Sequence, residues 1–124
     1  MTRRILLIED NEQNRYLVTY LLEAAGWEVL HAPDGPSGLV LAAKALPSLV
    51  LLDIDLPGMD GYAVARALRG DPALGEVPVV AVTSYAMAGD RERCLAAGCT
   101  GYLEKPIDPL TFAAQVEAFL GGPP

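Results

Sequence analysis

The sequence predicts an α/β domain: a five-stranded parallel sheet, doubly wound, with five helices covering its two faces. Three observations carry this. The chain has 124 residues, enough for one hydrophobic core but not two. Its apolar residues, 52% of the total, fall in short, regularly spaced runs, which argues for a folded domain. Strand-like runs alternate with segments of helical period, and that alternation places helices over a parallel sheet.

Ile5-Leu6-Leu7-Ile8 is a continuous apolar run suited to a strand buried on both faces. Asn11 is a good N-cap for the helix carrying Leu17, Val18, Leu21 and Leu22, and Gly26 ends it. Trp27 to Ala32 reads as a second strand, followed by a Pro33-Asp34-Gly35-Pro36 turn. A short helix through Leu39, Val40 and Ala43 continues until Pro47. Leu49-Val50-Leu51-Leu52-Asp53 is another doubly buried strand. The loop from Leu56 to Gly61 leads to a helix through Val64, Ala65 and Leu68, which Gly70-Asp71-Pro72 breaks. Val79 to Thr83 is the fourth strand, and a helix from about Met87 to Ala97 precedes Gly98. Gly101-Tyr102-Leu103 forms a fifth strand ending at Lys105-Pro106. The last helix, about Pro109 to Leu120, has Leu110, Ala113, Ala114, Val116 and Phe119 as its apolar members. Residues 1–120 read as one domain and 121–124, Gly-Gly-Pro-Pro, as a flexible tail.

Bulk properties narrow the function. The formal net charge of −7 disfavours nucleic acid as a direct partner, because phosphate binding relies on Lys and Arg. No apolar run approaches a membrane span. The basic N-terminus is followed by only four apolar residues before Glu9-Asp10, too few for a signal peptide, so the expected location is cytoplasmic. Cys94 and Cys99 lack metal or redox spacing and read as reduced packing residues. His31 is the single histidine, which leaves a structural zinc site without ligands. Trp27 and His31 read as structural or surface residues.

Ligands of open α/β sheets bind beyond the carboxyl ends of the strands. Four of the five expected strands put polar chemistry there: Glu9-Asp10, Asp53, Thr83 and Lys105. Two carboxylates about 4 Å apart repel by roughly 4 kcal/mol at an effective dielectric near 20. Gathering Glu9, Asp10 and Asp53 therefore raises a pKa or recruits a cation, and such oxygen ligands suit Mg²⁺. Metal, the Lys105 ammonium and the Thr83 hydroxyl together can bind three phosphoryl oxygens, with a carboxylate as the attacking nucleophile.

Four motifs complete the pattern: Ile8-Glu9-Asp10-Asn11, the run from Leu52-Asp53-Ile54-Asp55 through Leu56-Pro57-Gly58-Met59-Asp60-Gly61, Val82-Thr83-Ser84, and Gly101-Tyr102-Leu103-Glu104-Lys105-Pro106. In their order and spacing the chain resembles the receiver domain of two-component response regulators along essentially its whole length, most of all the small single-domain receivers. The resemblance implies a flavodoxin-like strand order of 2-1-3-4-5. It implies that Asp53 is the phosphoacceptor, in a phosphorelay with a histidine kinase or phosphotransfer protein as donor. Asp10 and Asp53 would bind Mg²⁺ through side chains, Asp55 through its backbone carbonyl and Glu9 through a water. Lys105 would pair with the phosphoryl group, with a cis peptide before Pro106 aiming it. Thr83 and Tyr102 would move inward together as the switch, and small Ser84 would keep the approach open. The Asp55 side chain and Tyr85 would modulate the phosphoryl lifetime. Every chemical position of the family pattern is filled.

The resemblance therefore implies a signalling switch rather than a conventional enzyme. With the last helix close to the final residue, no DNA-binding effector is expected, and output runs to a protein target through the face from Met87 to Leu120. Asp53-Ile54-Asp55 also resembles the Asp-x-Asp nucleophile motif of haloacid-dehalogenase phosphatases. That family places its nucleophile on the first strand, however, and its additional acidic residues late in the chain. A flavodoxin-like cofactor binder would want a Ser-, Thr- and Gly-rich loop where Glu9-Asp10-Asn11-Glu12 stands.

Overall fold

The computed structural model of the chain describes residues 3–56, 59–83 and 89–120. Strands and helices alternate as β1 (Arg4–Ile8), α1 (Glu12–Ala24), β2 (Glu28–Ala32), α2 (Gly35–Ala45), β3 (Leu49–Asp53), α3 (Gly61–Gly70), β4 (Val79–Thr83), α4 (Asp90–Ala96), β5 (Gly101–Glu104) and α5 (Phe112–Ala118). The strands form one sheet in the order β2-β1-β3-β4-β5, every neighbouring pair parallel, as expected. Among the described residues no helix is long and apolar enough to cross a membrane.

Strand alternation divides the core into two layers. Ile5 and Leu7, Leu49 and Leu51, and Val80 and Val82 face α1 and α5, where Val18, Leu22, Phe112 and Val116 cover them. Leu6 and Ile8, Val50 and Leu52, and Val79 and Ala81 face the opposite layer, with Ala42, Val64, Leu68 and Cys94. β1, β3 and β4 carry near-continuous apolar sequence because both faces are covered.

Helix ends follow local chemistry. Asn11, Asp34 and Asp60 cap α1, α2 and α3, each side chain accepting a bond from the N–H three residues on. Gly26 ends α1 at φ 96°, with Trp27 N–H bonded to Leu22 O and Gly26 N–H to Glu23 O. This is a Schellman closure, and its C″ and C3 residues, Trp27 and Leu22, share one core layer. Gly98, at φ 104°, closes α4 in the same way and sets Cys99 against Cys94. Both cysteines are buried and outside any disulfide, and burial followed by the neighbouring Cys94 pushes the Cys99 thiol up to about 12. They are packing residues.

Three expectations are corrected. Trp27 precedes β2, because its N–H closes α1 instead of entering the ladder. In α2 the buried row is Gly35, Gly38 and Ala42, whereas Val40 is 70% exposed and Ala43 is exposed. The helix lies so close to β1 that a Cβ at Gly38 would come within 2.5 Å of Ile8 Cδ1, so small residues mark its packed face. In α5 the buried residues are Phe112 and Val116, while Leu110 is 93% exposed and Ala114 is exposed. Asp108 accepts from Leu110 N–H with its side chain and from Phe112 N–H with its carbonyl, which holds 108–111 as a turn ahead of the helix.

Candidate functional site

The row of side chains facing α1 and α5 ends, on three strands, in a charged residue. Glu9 continues Ile5 and Leu7, Asp53 continues Leu49 and Leu51, and Lys105 continues Leu103. Their convergence is a consequence of parallel register and period-two alternation. Lys105 Nζ lies 3.3 Å from Glu9 Oε1 and 3.4 Å from Asp53 Oδ2. Glu9 and Asp53 are buried, at 3% and 4% exposure, while Asp10 is exposed at the mouth. Glu9, Asp10 and Asp53 each offer a carboxylate oxygen within 4.8 Å of the others. That donor set fits a hard divalent cation such as Mg²⁺.

The backbone fixes these groups. Asp55 N–H donates to Asp53 Oδ1 at 2.9 Å, and Asn11 N–H to Glu9 Oε2 at 3.3 Å. Lys105 N–H donates to Thr83 O at 2.7 Å, and the Lys105-Pro106 peptide is cis. Gly61 approaches so closely that a Cβ there would meet the Ile54 Cα at 2.6 Å, which holds the start of α3 against the end of β3.

Electrostatics show strain on the anions. Burial, then a hydrogen bond and the charge of Asp53, push the Glu9 carboxyl up to about 7, while Lys105 and the Asn11 N–H pull it back. Burial draws the Lys105 ammonium down, but Asp53 and Glu9 outweigh it and leave Lys105 above the usual lysine range. One ammonium thus serves two buried carboxylates with a third beside them.

Thr83 is buried at the end of β4, in register with Glu104 of β5. By alternation it shares its face with Val79 and Ala81, and Tyr102 packs half-buried against that same layer. Thr83 and Tyr102 therefore stand on the α4 side of the sheet, and Glu9, Asp53 and Lys105 on the α5 side. Asp55 is exposed beyond β3. Ser84, Tyr85 and Met87 lie outside the described residues.

Two contributors escape a reading of the sequence. His31 Nε2 lies 2.9 Å from the Glu9 carbonyl oxygen, and its Nδ1 lies 3.3 Å from Arg15 Nη1. The one available signal is a polar ring at the next-to-last residue of a strand.

A family model, the response regulator receiver domain, matches residues 5–117. The chain belongs to this family. It is 40% identical to the polar-differentiation response regulator DivK of Brucella ovis, over 98% of both chains. Its fold is similar to that of the chemotaxis response regulator CheY4 of Vibrio cholerae, with a TM-score of 0.91 at 28% identity, covering 97% of this chain and 100% of that one. It is also similar to the receiver domain of the sensor histidine kinase PA1611 of Pseudomonas aeruginosa PAO1, whose structure holds a magnesium ion coordinated in the active site cleft. There the TM-score is 0.89 at 33% identity, over 98% of this chain and 100% of that one. A receiver domain of this type is a two-component signalling switch, not a classical enzyme, and no finding supports the phosphatase alternative.

Proposed function

We propose that this receiver accepts a phosphoryl group on Asp53 from a phosphohistidine of a histidine kinase or phosphotransfer protein. The observation that carries the proposal is the meeting of Asp53, Glu9 and Lys105, with Asp10 in reach, at the carboxyl end of the sheet. An Asp53 carboxylate oxygen forms the new O–P bond as the N–P bond breaks. The donor nitrogen leaves with the bonding pair, as neutral imidazole when the other ring nitrogen carries a proton. Asp10 and Asp53 through side chains, Asp55 through its carbonyl and Glu9 through a water would hold Mg²⁺, which supplies charge neutralisation at the phosphoryl oxygens. Lys105 exchanges one carboxylate contact for a phosphoryl oxygen, and Thr83 donates its hydroxyl to another. Thr83 and Tyr102 share a face, so movement of the hydroxyl toward the phosphoryl group opens space for the Tyr102 ring, and the change is read on residues 87–120. Leu95 and Leu110, at 48% and 93% exposure, are apolar surface within that stretch for a protein target. The domain promotes its own phosphorylation from small donors and its own dephosphorylation, at a lifetime set by Tyr85 and Asp55.

Mass spectrometry after incubation with a small phosphodonor and Mg²⁺ tests this. One added phosphate mass is expected in the wild type and none in Asp53→Asn, whose circular dichroism stays native. Equal labelling of Asp53→Asn would move the acceptor elsewhere.

A further inference from the structure

We propose that His31 is a positioning residue: held in one tautomer by Arg15, it fixes the Glu9–Asp10 peptide and with it the acidic edge of the site. The inference rests on reading Glu9, Asp10 and Asp53 as the metal and phosphoryl site. An arginine can only donate, so Arg15 Nη1 at 3.3 Å makes Nδ1 of His31 the acceptor. In the neutral ring Nε2 then carries the hydrogen and donates to the Glu9 carbonyl at 2.9 Å. Arg15 is itself oriented by Glu12, 3.7 Å away. A relay from α1 through the edge strand β2 thus ends on the loop that bears two of the three carboxylates.

The contact replaces a rung of the sheet. Glu9 N–H still bonds to Ala32 O at 3.1 Å, so the β1–β2 ladder reaches Glu9. In a parallel ladder the next donor to the Glu9 carbonyl would be the Asp34 N–H, but beyond Ala32 the chain turns through Pro33 into the Asp34 cap of α2. The His31 ring supplies the donor that the ladder does not. A peptide group is planar, so fixing the Glu9 carbonyl also fixes the Asp10 N–H and the direction in which Asp10 leaves. Glu9 is buried, so the loss of its carbonyl partner would be felt, whereas the exposed Asp10 has no packing of its own to hold it.

The test uses NMR on the whole chain. Long-range ¹H–¹⁵N spectra of the wild type are expected to show a protonated Nε2 and a bare Nδ1 at His31; the opposite tautomer overturns the proposal. Without metal, His31→Ala should move the Asp10 amide resonance, and a Mg²⁺ titration should show about tenfold weaker binding, the low end for loss of an outer-shell partner. His31→Gln, whose carboxamide nitrogen can reach the position of Nε2, should restore both. Arg15→Met, at a partly exposed site, should release the tautomer and give an intermediate effect without touching the core. Wild-type resonance and affinity in His31→Ala, or a folded His31→Gln that restores neither, would overturn the assignment. If the wild type binds no Mg²⁺, the functional reading fails, and the tautomer and the metal-free Asp10 resonance still decide the role of His31.

Discussion

The two ends of the sheet each hold a half-buried cation, with opposite kinds of partner. At the carboxyl end, Lys105 lies within 3.4 Å of two carboxylates that outnumber it. At the amino end of β4 and β5, Arg69 of α3 spends its fork on neutral acceptors: Nε on Gly98 O at 2.6 Å, Nη1 on Gly75 O at 3.1 Å and Val77 O at 2.6 Å, and Nη2 on Thr100 Oγ1 at 3.1 Å. Thr100 Oγ1 also accepts from Val79 N–H, so one guanidinium ties the end of α3, the loop before β4 and the closure of α4 together. The planar fork suits fixed acceptors, and the flexible ammonium suits a partner that comes and goes. On the proposed function, one end holds and the other is rearranged.

The comparison breaks first on paired substitutions. Lys105→Met should slow phosphoryl uptake at least about a hundredfold, the usual cost of losing one positioned charge-stabilising donor. Its stability should change less, because Glu9, already raised to about 7, can take up a proton when the ammonium is lost. Arg69→Met should do the reverse, lowering stability by about 2–3 kcal/mol because several carbonyls lose a charged donor. Its folded fraction should still label at the wild-type rate. Urea melts alongside timed mass spectrometry read both quantities. A swap of the two phenotypes would mean that the ends are assigned the wrong way round.

This asymmetry also explains what was legible in the sequence. Glu9, Asp53 and Lys105 announce themselves because each interrupts an apolar strand with a charge, and period-two alternation brings them together. Arg69 does not, since an arginine in the last turn of a surface helix has the same local sequence whether it is solvated or stapling a loop. His31 was legible as a residue but not as a contact, because its partners, Arg15 and Glu9, lie on two different elements. The reading of α2 went astray at Val40 for a related reason: close approach selects glycine and alanine, which hydrophobic periodicity undercounts. In α5, a side-chain turn at Asp108 reset the helical phase and turned Leu110 outward.

The excess of anions at the carboxyl end should show as a pH dependence. The folded pKa of Glu9 is raised from 4.5 to about 7, so its protonated form is the one that folding favours. Its contribution is fully present below about pH 4.5 and is lost as pH rises through about 7. In metal-free buffer, the stability of the wild type minus that of Glu9→Gln should therefore fall by about 1–3 kcal/mol between pH 4.5 and 7.5. Saturating Mg²⁺ should flatten that fall, since a cation stabilises the ionised cluster. A difference that stays level without metal would mean that Lys105 already balances Glu9, and the carboxyl end would then be no more strained than the amino end.

The smallest effect probes whether the amino end can be improved without reaching the chemistry. Leu46 closes α2 in the left-handed region at φ 49°, with its N–H bonded to Ala42 O and its side chain 56% exposed. A residue with a Cβ pays about 1 kcal/mol or more for that conformation, which glycine adopts freely. Leu46→Gly gives up little packing, because the side chain is mostly in water, but it adds freedom to the unfolded chain and so keeps only part of the relief. A gain of about 0.5 kcal/mol is expected, read as a small rise in the urea midpoint at unchanged slope. Phosphoryl uptake should not change, because Leu46 precedes β3 at the end of the sheet away from Asp53. A stabilised Leu46→Gly with altered uptake would show that the two ends communicate through β3, and the division between holding and switching would have to be redrawn along the strand.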